Sequence, residues 1–143
     1  MDAIEVLEEE QREAAELVER LQITAPSRGR TQLFEQLRRC LEQHLSVEER
    51  FLLARLAQQA EDDRFLARCY QEHERLDDHL IAMTGCEGDE WPGCLAQLVE
   101  YLRRHREQER ALFARARALL APAELQEMGR RMAGMKRSFP AVA

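Results

Sequence analysis

The sequence has little that would break a helix or build a strand. Glycine occurs six times and proline four times in 143 residues. β-Branched residues are scarce, while Ala, Leu, Glu, Arg and Gln dominate. Strands favour the first group and helices the second, so an all-α protein is expected. No CxxC pair occurs: Cys40, Cys69, Cys86 and Cys94 match no thiolate metal site. Cys40 and Cys69 fall in helical patterns, where a thiol packs as a small apolar group. Cys86 and Cys94 flank a loop and could be oxidised to a disulfide. With no export signal, reduced thiols are the expectation. The N-terminus, MDAIEVLEEEQREAAEL, has no basic stretch and no long apolar run, unlike a signal peptide. No segment is apolar enough for a membrane span. A cytoplasmic protein without membrane partners is expected. A basic stripe is also missing. The net charge is −6, and arginines are interleaved with acids along every segment. That is the pattern of solvated helix faces, and it argues against nucleic acid as the main partner.

The length suits one domain, 1–143, with a core that needs no staples. Breakers divide it. The stretch ITAPSRGRT (23–31) reads as a loop. The pattern resets around 60–63, where Asp62 or Asp63 can cap a new helix. The longest loop is TGCEGDEWPG (84–93), with Asp89 as N-cap, Pro92 in the first turn and Trp91 as an anchor. Pro122 opens a fifth helix, about 122–137, followed by a tail. Met128, Met132 and Met135 form an apolar stripe that docks it. The expected architecture is an up-and-down four-helix bundle over about 1–120 plus this short helix.

Apolar residues recur in steps of three and four along each long segment. The first seam runs Ile4, Leu7, Gln11, Ala14, Val18, Leu21. The second runs Leu37, Leu41, His44, Glu48, Phe51. The third runs Leu66, Cys69, His73, Leu76, Leu80, Met83. The fourth runs Leu95, Leu98, Leu102, His105, Glu109, Leu112. Each is a bundle stripe, and each is interrupted near its middle by a polar residue.

Buried, unpaired carboxylates and imidazoles are costly. A metal ion removes that cost, because neutral imidazole and carboxylate both ligate first-row cations. In HxxxE the two side chains leave one helix face a turn apart. The pairs HLSVE (44–48) and HREQE (105–109) thus give two similar halves. Glu48 and Glu109 can each bridge two metals, and His44, His73 and His105 hold one each. The competing reading is a metal-free polar layer that fixes helix register. His79 lies off the seam, as a helix-flank residue. Tyr70 and Tyr101 lie within a turn of ligand histidines, where either phenol can line the pocket or simply pack.

The stretches HLSVEERFLLARL (44–56), CYQEHERL (69–76), YLRRHREQERALFARARAL (101–119) and PAELQEMGRRMAGMKRS (122–138) resemble the hemerythrin-like HHE domain family. The resemblance covers nearly the whole chain. It implies a bundle around two iron ions (manganese or zinc being alternatives) with an oxo, hydroxo or water bridge. His44 and His105 would be terminal ligands, Glu48 and Glu109 bridges, and His73 the ligand from the third helix. Members usually carry a histidine on the first helix, where this chain has Gln11. Glu10 or Glu13 could take its place only if the helix turned by about one residue. Oxygen carriers in the family add a histidine one turn after the third-helix one; here Asp77 stands there, within reach of the same metal. The implied function is binding or reacting with O2, peroxide or NO, or sensing iron or redox state, with any output through an unidentified protein partner. The alternative is a metal-poor interaction protein with a degenerate site. No seam shows the ExxH order of ferritin-like sites.

Overall fold

A computed structural model describes residues 1–59 and 63–138. Five helices account for it, and no strand occurs among the described residues. Helix α1 spans Ala3–Gln22. Helix α2 is one continuous rod: Arg28–Val47, a six-residue π-helical stretch Glu48–Leu53, and a final turn Ala54–Ala57. Helices α3, α4 and α5 span Arg64–Met83, Trp91–Leu119 and Pro122–Ser138. Helices α1 to α4 form the up-and-down bundle, and α5 lies across α1 and the end of α2.

Local sequence explains the starts. Asp2 caps α1 in a reciprocal box with Glu5, accepting from the Glu5 amide at 2.9 Å. Its other oxygen accepts from Arg117 at 3.0 Å, tying this end to α4. Ser27 caps α2, so the helix begins inside the stretch expected to be loop, and Gly29 falls in its first turn. Asp63 caps α3 through the Phe65 and Leu66 amides and pairs with Arg115. Asp62, the other candidate, lies outside the described residues. Asp89 is not the cap of α4. It sits in a 3-10 turn, Gly88–Glu90, and the cap position falls to Glu90, with Pro92 in the first turn as expected. Trp91 is buried, with its ring edge-on to Phe34 at 5.7 Å and Arg30 over its face. Cys86 and Cys94 are joined as a disulfide, where free thiols were expected, because the short excursion between α3 and α4 returns one to the other.

Met128 and Met132 are buried and Met135 is packed against the same cluster, so the methionine stripe docks α5 as expected. Gly129 permits a close approach: a Cβ there would run into the Met1 carbonyl oxygen and the Asp2 and Ala3 backbone. The core is in two parts. One cluster joins Ile4, Leu7, Leu52, Leu53, Leu66, Leu112 and Met132. The other joins Leu17, Leu21, Leu37, Leu41, Leu76, Leu80 and Leu98. In every bundle helix the polar interruption falls between them.

Candidate metal centre

Glu10, His44, Glu48, His73, His105 and Glu109 are buried in that intervening layer. His44 Nε2 lies 2.7 Å from Glu109 Oε2 and 3.4 Å from Glu48 Oε2. His105 Nε2 lies 2.9 Å from Glu109 Oε1 and 3.4 Å from His44 Nε2. His73 Nε2 lies 3.1 Å from Glu48 Oε1. Each glutamate thus offers its two oxygens to two different imidazoles. His105 stands between the other rings, at centroid distances of 5.5 Å to His44 and 5.3 Å to His73. One ligand atom from each of His44, Glu48, His105 and Glu109 falls in a set within 4.8 Å.

These separations suit a shared cation. Around an ion with ligands at about 2.1 Å, neighbouring ligand atoms sit about 3.0 Å apart in an octahedron and about 3.4 Å in a tetrahedron. Two imidazole nitrogens facing each other at 3.4 Å need a proton or a cation between them. Glu48 Oε2 is buried with no imidazole or amide partner, the 3.4 Å approach of His44 being too poor to count, so a proton shared with the Glu109 carboxyl or a cation must satisfy it. Left with neither, such an atom costs stability that a metal would restore. The residues present therefore fit a metal.

The electrostatics agree. Burial raises the Glu48 carboxyl, Glu109 beside it raises it further, and it is pushed up to about 7. Burial acts the same way on Glu109, but His44 and His105 outweigh it and hold that carboxyl well below its usual range. For His44, burial opposes protonation, yet Glu109, Glu10 and Glu48 hold it well above an ordinary imidazole. His73 is raised against its own burial by Glu48 and Glu49. The layer holds protons where a cation would replace them.

The first helix buries the expected Ile4, Leu7, Ala14, Val18 and Leu21, but its fully buried polar residue is Glu10, one position before Gln11. Its seam centre runs Ala3, Leu7, Glu10, Ala14, Leu17, Leu21. Glu10 is buried and its Oε1 is 3.0 Å from His44 Nδ1. Gln11 is half-buried at the edge of the layer and donates from Nε2 to Glu109 Oε1 at 2.7 Å. Both reach the site, so neither needs the helix to turn. Glu13 is exposed and pairs with Lys136.

The second helix also departs from simple periodicity. Its π-helical stretch begins at Glu48. The wider turn delays the seam by a residue: Leu52 and Leu53 are buried where Phe51 was expected, and Phe51 is half-buried. It also brings Glu49 to His73, with Oε1 2.9 Å from Nδ1. Such π-turns occur often at functional sites. Glu10 and Glu49 thus play one role. Each engages the Nδ1 of a histidine and leaves Nε2 facing inward, the carboxylate–histidine arrangement that orients metal ligands.

Asp77 and Tyr70 are exposed and Tyr101 is half-buried, outside the converging set. Asp77 is one turn beyond His73, where the helix has already rotated toward solvent. Tyr101 instead packs its ring on His79 at 5.0 Å, and His79 Nε2 lies 3.1 Å from the Cys94 carbonyl.

Fold and site together define a helical-bundle protein with a buried His/Glu cluster, a candidate metal centre. The family described as the Hemerythrin HHE cation binding domain matches residues 2–117. The chain belongs to that family. Among solved structures, a hemerythrin HHE cation binding domain-containing protein from Mycobacterium kansasii is similar in fold. Its TM-score is 0.82 and its identity 21%, over 96% of this chain and 86% of that one. Comparison with curated proteins gives no significant match.

Proposed function

We propose that this chain is a di-metal protein, with iron as the resident metal, that binds or reacts with O2, peroxide or NO. The observation that supports this best is the facing pair Glu48 and Glu109. Each turns its two oxygens to different imidazoles, as a bridging carboxylate would. His44, Glu48, His105 and Glu109 surround one position, and His73 lies outside that set. His73 and Glu48 mark a second with fewer donors. Few protein ligands leave positions open, and iron there would supply binding and electron transfer to a small oxidant. The chain's own part is orientation and exclusion. Glu10 and Glu49 fix two rings, Gln11 presents an amide proton beside Glu109, and the apolar clusters above and below close the layer on those two sides.

Sensing of iron or redox state is the variant of this reading in which occupancy itself is the signal. A degenerate interaction bundle is disfavoured by the specific pairing of Gln11 with Glu109 and of Glu10 with His44, which a decayed layer has no need to keep. No helix among the described residues is long and apolar enough to cross a membrane. A cytoplasmic setting is part of the proposal, and the Cys86–Cys94 disulfide counts against it, since thiols are kept reduced there. The function is tested by adding O2, hydrogen peroxide or NO to the reduced, iron-loaded protein. A change in near-ultraviolet and visible absorption that saturates with oxidant supports it. An unchanged spectrum with all three contradicts it.

A further inference from the structure

A cleft of about 420 Å³ opens between α1 and α4. Its floor is the polar layer: Glu10, Gln11, His44, His105 and Glu109. The two helices stand apart here because α1 packs mainly on α2 and α5. Small side chains, Ala14 and Ala15, keep the gap open on the α1 side. The cleft is too large for a diatomic gas or peroxide alone. At about 30 Å³ for each water-sized molecule, it has room for more than ten. It falls in the size range of organic ligand sites.

The lining has two chemistries. Val18, Leu41, Val99 and Leu102 continue the apolar wall begun by the alanines. From Ala14 to Gln22 that wall extends about 12 Å along α1. At the floor end stand Arg106 and Arg110, which bracket Glu109 in sequence and are one turn apart on α4. Both are exposed, and neither forms an ion pair among the described residues. By contrast, Arg103 is held by Glu100 and Glu107, so Glu107 is already neutralised. Glu10, Glu19 and Glu109 also line the cleft, so its positive charge is local: it comes from the two guanidiniums at the floor end that have no ion pair among the described residues. Arginine forks suit carboxylate recognition.

We propose that this cleft binds an organic anion with an apolar body, of the class of medium-chain carboxylates. The carboxylate sits on Arg106 and Arg110, and the chain lies along Ala15, Val18, Val99 and Leu102. Binding itself rests on the cleft alone. That it places an organic molecule beside a metal centre rests on the proposed function.

The test is calorimetric titration of the protein as purified, its metal content measured, with decanoate and with decanol below their aggregation limits. Decanoate is expected to saturate one site, with decanol weaker by about tenfold or more, through loss of the charge-assisted contacts to Arg106 and Arg110. The double variant Arg106→Ala/Arg110→Ala should weaken decanoate to the level of decanol. Ala15→Trp should abolish binding of both. If it melts abnormally, Val99→Trp fills the same wall. Equal affinity for decanoate and decanol would overturn the anion site. Binding that survives both filling variants would overturn the location, and no saturable binding of decanoate would overturn the whole proposal. Decanoate binding to protein stripped of metal would uphold the cleft whether or not the metal reading holds.

Discussion

Removing metal leaves Glu48 to face its own burial, and the cost depends on pH. Its carboxyl goes from an ordinary 4.5 to about 7 in the folded chain. The folded state then binds more protons than the unfolded state between those values. Stability therefore falls as pH rises from about 4.5 to 7. A shift of that size corresponds to about 3 kcal/mol once Glu48 is ionised. His44 and His73 act in the same direction. Their raised values give stability that is fully present below about 6.5 and lost as pH climbs through the folded value. Glu109 is depressed, so its contribution is lost only as pH falls below about 4.5, outside the window that matters. For a chain of this length the unfolding entropy is about 0.3 kcal/mol/K, so the Glu48 loss alone lowers Tm by about 10 °C between pH 5 and pH 8. With metal bound the sign reverses: a cation displaces the protons and binds more tightly as pH rises. The assay is thermal unfolding by circular dichroism, on chelator-treated and metal-loaded protein, across pH 5–8. The two curves should diverge with pH. A metal-free protein whose Tm is flat or rising over that range would refute the reasoning.

Other outcomes follow from single residues. Glu48→Ala and Glu109→Ala should each lose most of the bound metal, while His79→Ala loses none, as read by metal analysis after gel filtration; equal damage from His79→Ala would misplace the site. Glu10→Ala frees the Nδ1 of His44 and should weaken metal binding by about ten- to a hundredfold in competition with a chelator. Gln11→His puts an imidazole beside Glu109 and should slow metal release into the same chelator; an unchanged rate would mean the side chain cannot reach the cation. Gly129→Ala drives a methyl into the Met1–Ala3 backbone and should cost about 1–3 kcal/mol in urea unfolding, with metal content unaffected.

Most of the bundle was legible because its seams are regular. The third seam, Leu66 to Met83, is buried at every expected position. Regularity also exposed His44, Glu48, His73, His105 and Glu109, since each falls where leucine should. The first helix shows the limit. Ala3, Leu7, Glu10, Ala14 and Ile4, Leu7, Gln11, Ala14 are both good seams, and periodicity cannot choose between stripes one residue apart. Here the helix faces the layer between them, so both Glu10 and Gln11 are used. Glu49 was hidden for a different reason. Its reach to His73 depends on a π-turn, and a single wide turn leaves no periodic signal. The cleft was also unreadable, because it arises from helix spacing and not from the pattern along any one helix.

The central claim is that the polar layer exists to hold metal. Metal analysis of protein purified without chelator tests it most directly. The account predicts iron at about two ions per chain when fully loaded, one held more tightly than the other. A fully folded protein that holds less than about half an equivalent of any first-row metal, and that gains no thermal stability when iron, manganese or zinc is added, would contradict it.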